Sequence, residues 1–194
     1  MPDKNLYLIA GCNGAGKTTA SFTLLPEILG CREFVNADEI ARGLSPFQPE
    51  KVAFEAGRIM LHRISELFAR GESFAVETTL ATKIYKQKIT AARKQGYTTT
   101  LLFFWLQSIE LAKERVKTRV AEGGHTIEPA VIERRYQQGI LNLFDSYLPL
   151  VDEAFIFDTS EGEPLLLAEK LNNKFRIISS QKYKQLRAYY ENRT

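Results

Sequence analysis

The sequence has few cysteines, and it has no segment that would direct export or cross a membrane. Its two cysteines, Cys12 and Cys31, are not spaced as metal ligands. The first residues lack a basic-then-apolar signal pattern, and no apolar run approaches the ~20 residues that a membrane span needs. These absences argue against a disulfide scaffold, an exported protein and a membrane protein. We therefore expect a protein of the reducing cytoplasm.

The sequence also lacks a large excess of charge of either sign. Its 26 basic and 23 acidic side chains leave a net charge of +3, which does not indicate a general nucleic-acid or membrane surface. No internal repeat, low-complexity segment or linker is present. With 194 residues, of which 44% are hydrophobic, the chain is long enough for one well-buried core. We expect a single domain over residues 1–194.

A glycine-rich motif follows the apolar run at residues 6–10. Residues 11–18 match G-x-x-x-x-G-K-[ST] in full, directly after a predicted strand, which is the context that a phosphate-binding loop requires. The backbone N–H groups of such a loop surround phosphate oxygens, Lys17 reaches the β and γ phosphates, and Thr18 offers its hydroxyl to Mg²⁺. A glycine turn with a chance lysine also matches, but the flanking strand and helix favour ATP and Mg²⁺ binding. The predicted nucleotide-binding residues are Gly11, Cys12, Asn13, Gly14, Ala15, Gly16, Lys17, Thr18 and Thr19.

Hydrophobic periodicity predicts strands and helices that alternate along the chain. The predicted strands are residues 6–10, 32–36, 73–77, 98–106, 154–158 and 175–178, and the predicted helices are residues 17–25, 49–71, 82–95, 109–122, 129–143 and 181–192. Pro26 should stop or kink the first helix. The order predicts an α/β, three-layer P-loop fold with a mainly parallel sheet and helices on both faces.

Polar residues follow the second and third predicted strands. Asp38 and Arg42 come after one strand, and Glu77, Thr78 and Thr79 end the other. Open α/β sheets bind ligands at this carboxyl edge, so we expect these side chains to contact a substrate. An aspartate with an ordinary pKa of ~3.9 is a weak base, so Asp38 would mainly orient an acceptor hydroxyl and take its proton late. The alternative is that Asp38 caps the short helix after it.

Two helices rich in arginine, around a Gly-Gly-His break, predict a lid over residues 113–137. Phosphoryl transfer needs cations around the transferring group, and Arg119 with Arg134 or Arg135 can supply them. Arg115 and its neighbours form either part of this site or a solvated helix face. His125 either contacts phosphate or packs against the lid, and the glycines before it would let the lid close.

Together these motifs resemble the zeta toxin branch of the P-loop kinases, over about residues 5–160. The likeness is carried by residues 11–18, 36–42, 77–79, 115–119, 123–125 and 157–160. It implies a kinase that phosphorylates a sugar hydroxyl, for zeta toxins that of UDP-N-acetylglucosamine, with a possible antitoxin as partner. It also implies that Asp38 accepts the proton, that Lys17 and Arg119 bind phosphate, and that Glu77 with Thr78 or Thr79 contacts the substrate.

The sequence departs from this family at one lid position. Zeta toxins have a second lid arginine about where this chain has His125, so His125, Arg134 or Arg135 replaces it, or the substrate differs. Two alternatives stay open, namely a polynucleotide 5′-hydroxyl kinase and a nucleotide-dependent switch. The small net charge argues against the nucleic-acid substrate. Asp158 ends the fifth predicted strand, and we expect it nearer the adenine or in a loop, and not at the metal.

Overall fold

Seven strands form one sheet in the computed structural model, which describes residues 4–124 and 126–192. The strands are β1 (Lys4–Gly11), β2 (Phe34–Val35), β3 (Phe74–Thr78), β4 (Tyr97–Trp105), β5 (Glu153–Asp158), β6 (Leu165–Leu171) and β7 (Lys174–Ile177). Their spatial order is β2-β3-β1-β4-β5-β6-β7. The first five are parallel, and β6 and β7 are antiparallel. The predicted mainly parallel sheet is confirmed.

Helices cover both sides of this sheet. They are α1 (Lys17–Thr23), α2 (Ala37–Leu44), α3 (Ala53–Arg70), α4 (Tyr85–Lys94), α5 (Ile109–Ala121), α6 (Pro129–Asn142) and α7 (Ser180–Glu191). Strand β4 is buried at every position except Thr98, as expected for a central strand covered on both faces. Among the residues described, no helix is both long and apolar enough to cross a membrane.

The first helix is distorted at Pro26 but does not stop there, which agrees with one of the two predicted outcomes. It continues as a wider π-helical turn, Leu24–Ile28, in which the backbone N–H of Leu29 donates to the carbonyl of Leu24 at 3.0 Å. Proline has no N–H and disturbs the hydrogen bonds of an ordinary helix, and the wider turn accommodates it. The chain then turns at Gly30 and enters β2.

Strand β6 was not predicted from the sequence. Its residues are leucine, alanine, glutamate and lysine, which favour helices when taken alone. In the fold, β6 pairs with β5, and this pairing buries Leu167 and Ala168 completely. Strand β7 corresponds to the predicted strand at residues 175–178 and forms the exposed edge of the sheet. Tertiary burial therefore outweighs local preference in this region.

Candidate active site

The glycine-rich loop forms the phosphate-binding turn that the sequence predicts. Gly11 ends β1 with φ +143°, and a Cβ atom there would lie 2.2 Å from the carbonyl oxygen of Phe104 in β4. Only glycine fits so close to a neighbouring strand. Gly16 has a left-handed conformation directly before α1, so that Lys17 and Thr18 occupy the first turn of that helix. Lys17 is buried, and its Nζ donates to the carbonyl of Cys12 at 2.8 Å.

Glu77, at the end of β3, lies against the phosphate-binding loop. Its Oε2 accepts hydrogen bonds from Thr18 Oγ1 at 2.8 Å and from Asn36 Nδ2 at 2.9 Å. Its Oε1 is 3.7 Å from Lys17 Nζ, and its side chain is 10% exposed. Burial raises the pKa of Glu77, and the positive charge of Lys17 opposes that shift. Glu77 therefore contacts the residues predicted to bind nucleotide and metal, although we expected it to contact the acceptor.

Asn36 provides the cap of α2, which was the alternative role considered for Asp38. The Oδ1 of Asn36 accepts from the backbone N–H of Asp38 at 2.8 Å and from that of Glu39 at 3.4 Å. Asn36 is a preferred capping residue because its side-chain oxygen satisfies N–H groups that the helix leaves free. Asp38 thus lies in the first turn of α2, and the cap does not require its carboxylate.

A cavity of about 150 Å³ brings predicted nucleotide-binding and substrate-binding residues together. Its lining includes Asn13, Lys17, Asn36, Asp38, Glu77, Thr78, Thr79 and Arg135. A second hollow of about 340 Å³ shares Asp38 and Arg135 with it and continues between α2 and residues 126–128. A third, of about 520 Å³, adds Arg42, Phe47 and the two glycines of the lid turn. The second hollow thus shares lining residues with each of the other two, and Arg42 lines the third, which shares none with the first.

The loop that follows Thr78, the last residue of β3, and begins with Thr79 is held by residues near and beyond the end of α6. Asn142 Nδ2 donates to the carbonyl of Leu80 at 2.6 Å, and the Tyr147 hydroxyl donates to that of Thr82 at 2.7 Å. Thr78 Oγ1 accepts the N–H of Leu80 at 3.1 Å. The loop therefore has a defined conformation on the wall of the cavity.

Arg135, and not Arg134, reaches the cavity. Arg135 Nη1 donates to Asn13 Oδ1 in the phosphate-binding loop at 3.1 Å. Burial lowers the pKa of Arg135, and the nearby charge of Asp38 opposes this. Arg134 is exposed, since consecutive residues point in different directions around a helix. The sequence named Arg134 and Arg135 as alternatives, and the geometry places Arg135 beside Asp38.

The arginines of α5 have different surroundings. Nε and Nη2 of Arg119 are buried and have no hydrogen-bond partner within the described part of the chain. Arg115 Nη2 donates to the carbonyl of Ser160 at 2.9 Å, so this residue connects α5 to the loop after β5. Buried guanidinium N–H groups without a partner are costly, and an anion would satisfy them. The predicted contact of His125 lies outside the described residues.

Asp158 is occupied by contacts away from the cavity. Its carboxylate accepts from the backbone N–H of Ser160 at 2.8 Å and pairs with Lys182 Nζ of α7 at 3.2 Å. Burial would raise the pKa of Asp158, but the contacts with Ser160 and Lys182 outweigh it, so the pKa is lowered. No group of three histidine, cysteine or acidic side chains that could hold a metal occurs in residues 4–124 and 126–192.

Several solved structures share this fold. A complex of AvrRxo1-ORF1 and -ORF2 with ATP has a TM-score of 0.75 and 18% identity, and the match covers 95% of this chain and 63% of that chain. The PezAT chromosomal toxin–antitoxin system of Streptococcus pneumoniae gives a TM-score of 0.68 and 17% identity, covering 100% and 86%. At these identities the likeness shows the fold, and it confirms the predicted zeta-toxin-like P-loop architecture.

Two sequence comparisons agree with this fold. An uncharacterized protein of Haemophilus influenzae is 26% identical over 136 residues, which are 70% of this chain and 94% of that protein. The family model described as AAA domain matches residues 6–138. This match begins in β1 and ends in α6, so it contains the phosphate-binding loop, Asp38, Glu77 and the lid arginines. The chain belongs to the AAA domain family.

Proposed function

We propose that this protein is an ATP-dependent kinase that transfers the γ-phosphoryl group to a hydroxyl of a small molecule. One observation carries the proposal: Lys17, Asp38, Glu77 and Arg135 line a single cavity at the carboxyl edge of the sheet. A cation for phosphate, a carboxylate for a hydroxyl and a second cation are the parts that phosphoryl transfer needs. The ATP complex of the AvrRxo1 proteins, which share the fold, supports ATP as the donor.

The loop of residues 11–18, followed by Thr19, would hold the triphosphate, and the unpartnered N–H groups of Arg119 fit an anion. The hydroxyl of Thr18 and the carboxylate of Glu77, 2.8 Å apart, are oxygen donors of the kind that suits Mg²⁺. Such an ion would neutralise charge on the phosphates as the bond to ADP breaks. We therefore assign Glu77 to the metal side of the site, and Thr78 and Thr79 to the acceptor side.

Asp38 would orient the acceptor. As the acceptor oxygen bonds to the γ phosphorus and the bond to ADP breaks, the hydroxyl proton passes to the Asp38 carboxylate. Arg119 and Arg135 would stabilise the charge on the transferring group, and Lys17 the charge that develops on ADP. Arg135 can act on both the nucleotide and the acceptor, because it contacts Asn13 of the phosphate-binding loop and lines the cavity together with Asp38. The segment of residues 113–137 would close over these groups as a lid.

The acceptor is proposed to be larger than a single sugar ring. The hollow beside Asp38 and the hollow beside Arg42 and Phe47 share Glu50 and Glu128, and together they would leave room for a second group on the acceptor. A nucleotide sugar such as UDP-N-acetylglucosamine is the acceptor that the zeta-toxin resemblance favours. The likeness to a toxin–antitoxin system supports an antitoxin protein as a possible partner.

A screen for ATP consumption tests the proposal. The protein is incubated with MgATP and with nucleotide sugars, nucleosides, hydroxyl antibiotics or 5′-hydroxyl oligonucleotides, and ADP and phosphorylated product are both measured. We expect one hydroxyl class to increase ADP formation in equal amounts with product, and its deoxy analogue to have no effect. Slow ATP hydrolysis that no acceptor stimulates would instead favour a nucleotide-dependent switch.

A further inference from the structure

We infer that Asn36 is a positioning residue that couples the nucleotide side of the site to Asp38. This inference rests on the proposed function. Asn36 lies between β2 and α2 and is 5% exposed. Hydrogen bonds of the Asn36 side chain join the first turn of α2, which contains Asp38, to Glu77. Glu77 in turn accepts a hydrogen bond from Thr18 of the phosphate-binding loop.

The oxygen and the nitrogen of the Asn36 side-chain amide both make hydrogen bonds, and their partners lie in different parts of the site. The oxygen accepts the N–H groups of Asp38 and Glu39 at 2.8 and 3.4 Å, and the nitrogen donates to Glu77 Oε2 at 2.9 Å. Backbone N–H groups require an acceptor and a carboxylate requires a donor, so only this amide orientation satisfies both sides. Asn36 is therefore more than a helix cap.

The connection to the nucleotide passes through a shared atom. Glu77 Oε2 accepts from Thr18 Oγ1 as well as from Asn36 Nδ2. A nucleotide with its metal would engage the hydroxyl of Thr18 and the carboxylate of Glu77, and this would change the hydrogen bond that Asn36 donates to Glu77. The backbone of Asp38 is one hydrogen bond further along the same chain. Occupation of the phosphate site is thereby linked to the position of the carboxylate that meets the acceptor.

Other good capping residues would supply only half of this connection. Serine caps a helix about as well as asparagine, but its side chain is shorter and has no amide donor to reach Glu77. Aspartate also caps, but it would place a second carboxylate against Glu77, and like charges at this distance repel. Variants of Asn36 can therefore separate the cap from the connection.

The experiment is hydrogen exchange of the α2 backbone, with and without a non-hydrolysable magnesium complex of an ATP analogue. Calorimetry measures binding of the same nucleotide to the parent, Asn36→Ser and Asn36→Asp. Ser108→Ala is the matched control, because Ser108 caps α5 by accepting the N–H of Leu111 at 3.1 Å. In the parent, we expect the nucleotide to slow exchange in α2. Asn36→Ser should keep the nucleotide-free exchange of α2 within about 2-fold of the parent and lose the response.

The variants should differ in a definite order. Asn36→Asp should also lose the response, and Ser108→Ala should keep it although it loses a cap. With an acceptor from the screen, Asn36→Ser should lower kcat by a larger factor than it raises the KM for ATP. The inference is overturned if the nucleotide binds the parent without slowing α2, or if Asn36→Ser responds like the parent. A parent that binds no nucleotide by calorimetry would instead refute the proposed function, and the inference with it.

Discussion

Glu77 and Asp152 are two carboxylates with similar partners at opposite ends of the sheet. Glu77, at the carboxyl end of β3, accepts from Thr18 Oγ1 at 2.8 Å and lies 3.7 Å from Lys17 Nζ. Asp152, just before β5, accepts from Thr99 Oγ1 at 2.7 Å and pairs with Arg93 at 2.9 Å. Each carboxylate thus has a threonine hydroxyl and one cation. Their protonation equilibria nevertheless shift in opposite directions.

The pKa of Glu77 is raised, because its burial outweighs the charge of Lys17 and the bond from Thr18. Burial also opposes the charge of Asp152, but the two bonds from Thr99 and the charge of Arg93 outweigh it, so the pKa of Asp152 is lowered. Asp152 is 31% exposed, whereas Glu77 is 10% exposed. The amino end of the sheet thus has a carboxylate whose charge stabilises the fold. The carboxyl end of the sheet has a carboxylate whose charge is disfavoured by burial, which is typical of functional sites.

The largest effect is expected for Asp38→Asn. The change keeps the size of the side chain and removes the charge that, in the proposed mechanism, orients and deprotonates the hydroxyl, so transfer should fall by about 10²- to 10⁴-fold. Nucleotide affinity and melting temperature should change little, as expected for a residue that serves function at the carboxyl end. Single-turnover transfer is measured beside ATP affinity. Transfer within a few-fold of the parent would remove Asp38 from the mechanism.

Arg119→Ala should have the next largest effect. Its buried N–H groups have no partner in the described structure, so we expect them to act on the transferring phosphoryl group, and their loss should lower kcat by about 10²- to 10³-fold. The matched variant Arg115→Ala breaks the bond to Ser160 and should cost less. Measurement of kcat and KM for both variants tests this difference between Arg119 and Arg115. Equal and small losses in both variants would mean that Arg119 does not act on the transferring phosphoryl group.

Lys17→Ala should weaken binding of MgATP by about 1.5 to 3 kcal/mol, because a charge-assisted contact to phosphate is lost. Lys113→Ala is the control, since Lys113 pairs with Glu133 at 3.1 Å on the helix surface. Isothermal calorimetry on both variants makes the comparison. If Lys17→Ala binds the nucleotide as tightly as the parent, residues 11–18 are not a phosphate-binding loop.

The sequence predicted the carboxyl end of the sheet well, because its chemistry is local. A glycine motif after a strand, and polar residues where strands end, identify Lys17, Asp38 and Glu77 as neighbours without any knowledge of side-chain contacts. The partner of Glu77 was not predictable in this way. The bonds from Thr18 and Asn36 span 59 and 41 residues of sequence, and their geometry depends on how β1, β2 and β3 lie side by side.

The arginine of α6 that reaches the site was harder to predict, for a related reason. Arg134 and Arg135 are adjacent in sequence, and the choice between them depends on the rotation of α6 about its axis, which packing against the sheet determines. At the far edge, the residues of β6 favour a helix, and only pairing with β5 makes them a strand. All of these features depend on which surfaces become buried in the fold, and the local sequence pattern does not specify that burial.

The smallest effects are expected for Glu77→Gln and Asp152→Asn, which each remove one of the two carboxylates. The folded-state pKa of Asp152 lies below its ordinary value of 3.8, so its charge stabilises the fold above that value. This stability is lost as the pH falls through the folded-state pKa. Asp152→Asn should therefore cost about 1 kcal/mol at pH 7, and the difference from the parent should shrink in acid.

Glu77 should behave in the opposite way. Its folded-state pKa lies above the ordinary value of 4.5, so the folded protein binds its proton more tightly than the unfolded chain does. The resulting stability is present below pH 4.5 and is lost as the pH rises through the folded-state pKa. Glu77→Gln cannot ionise, so it should be as stable as the parent or more stable at pH 8, and lose that advantage towards pH 4. Urea unfolding of both variants from pH 3 to 8 tests this. Parallel pH profiles for the two would show that both carboxylates stabilise the fold, and that the ends of the sheet do not differ as we infer.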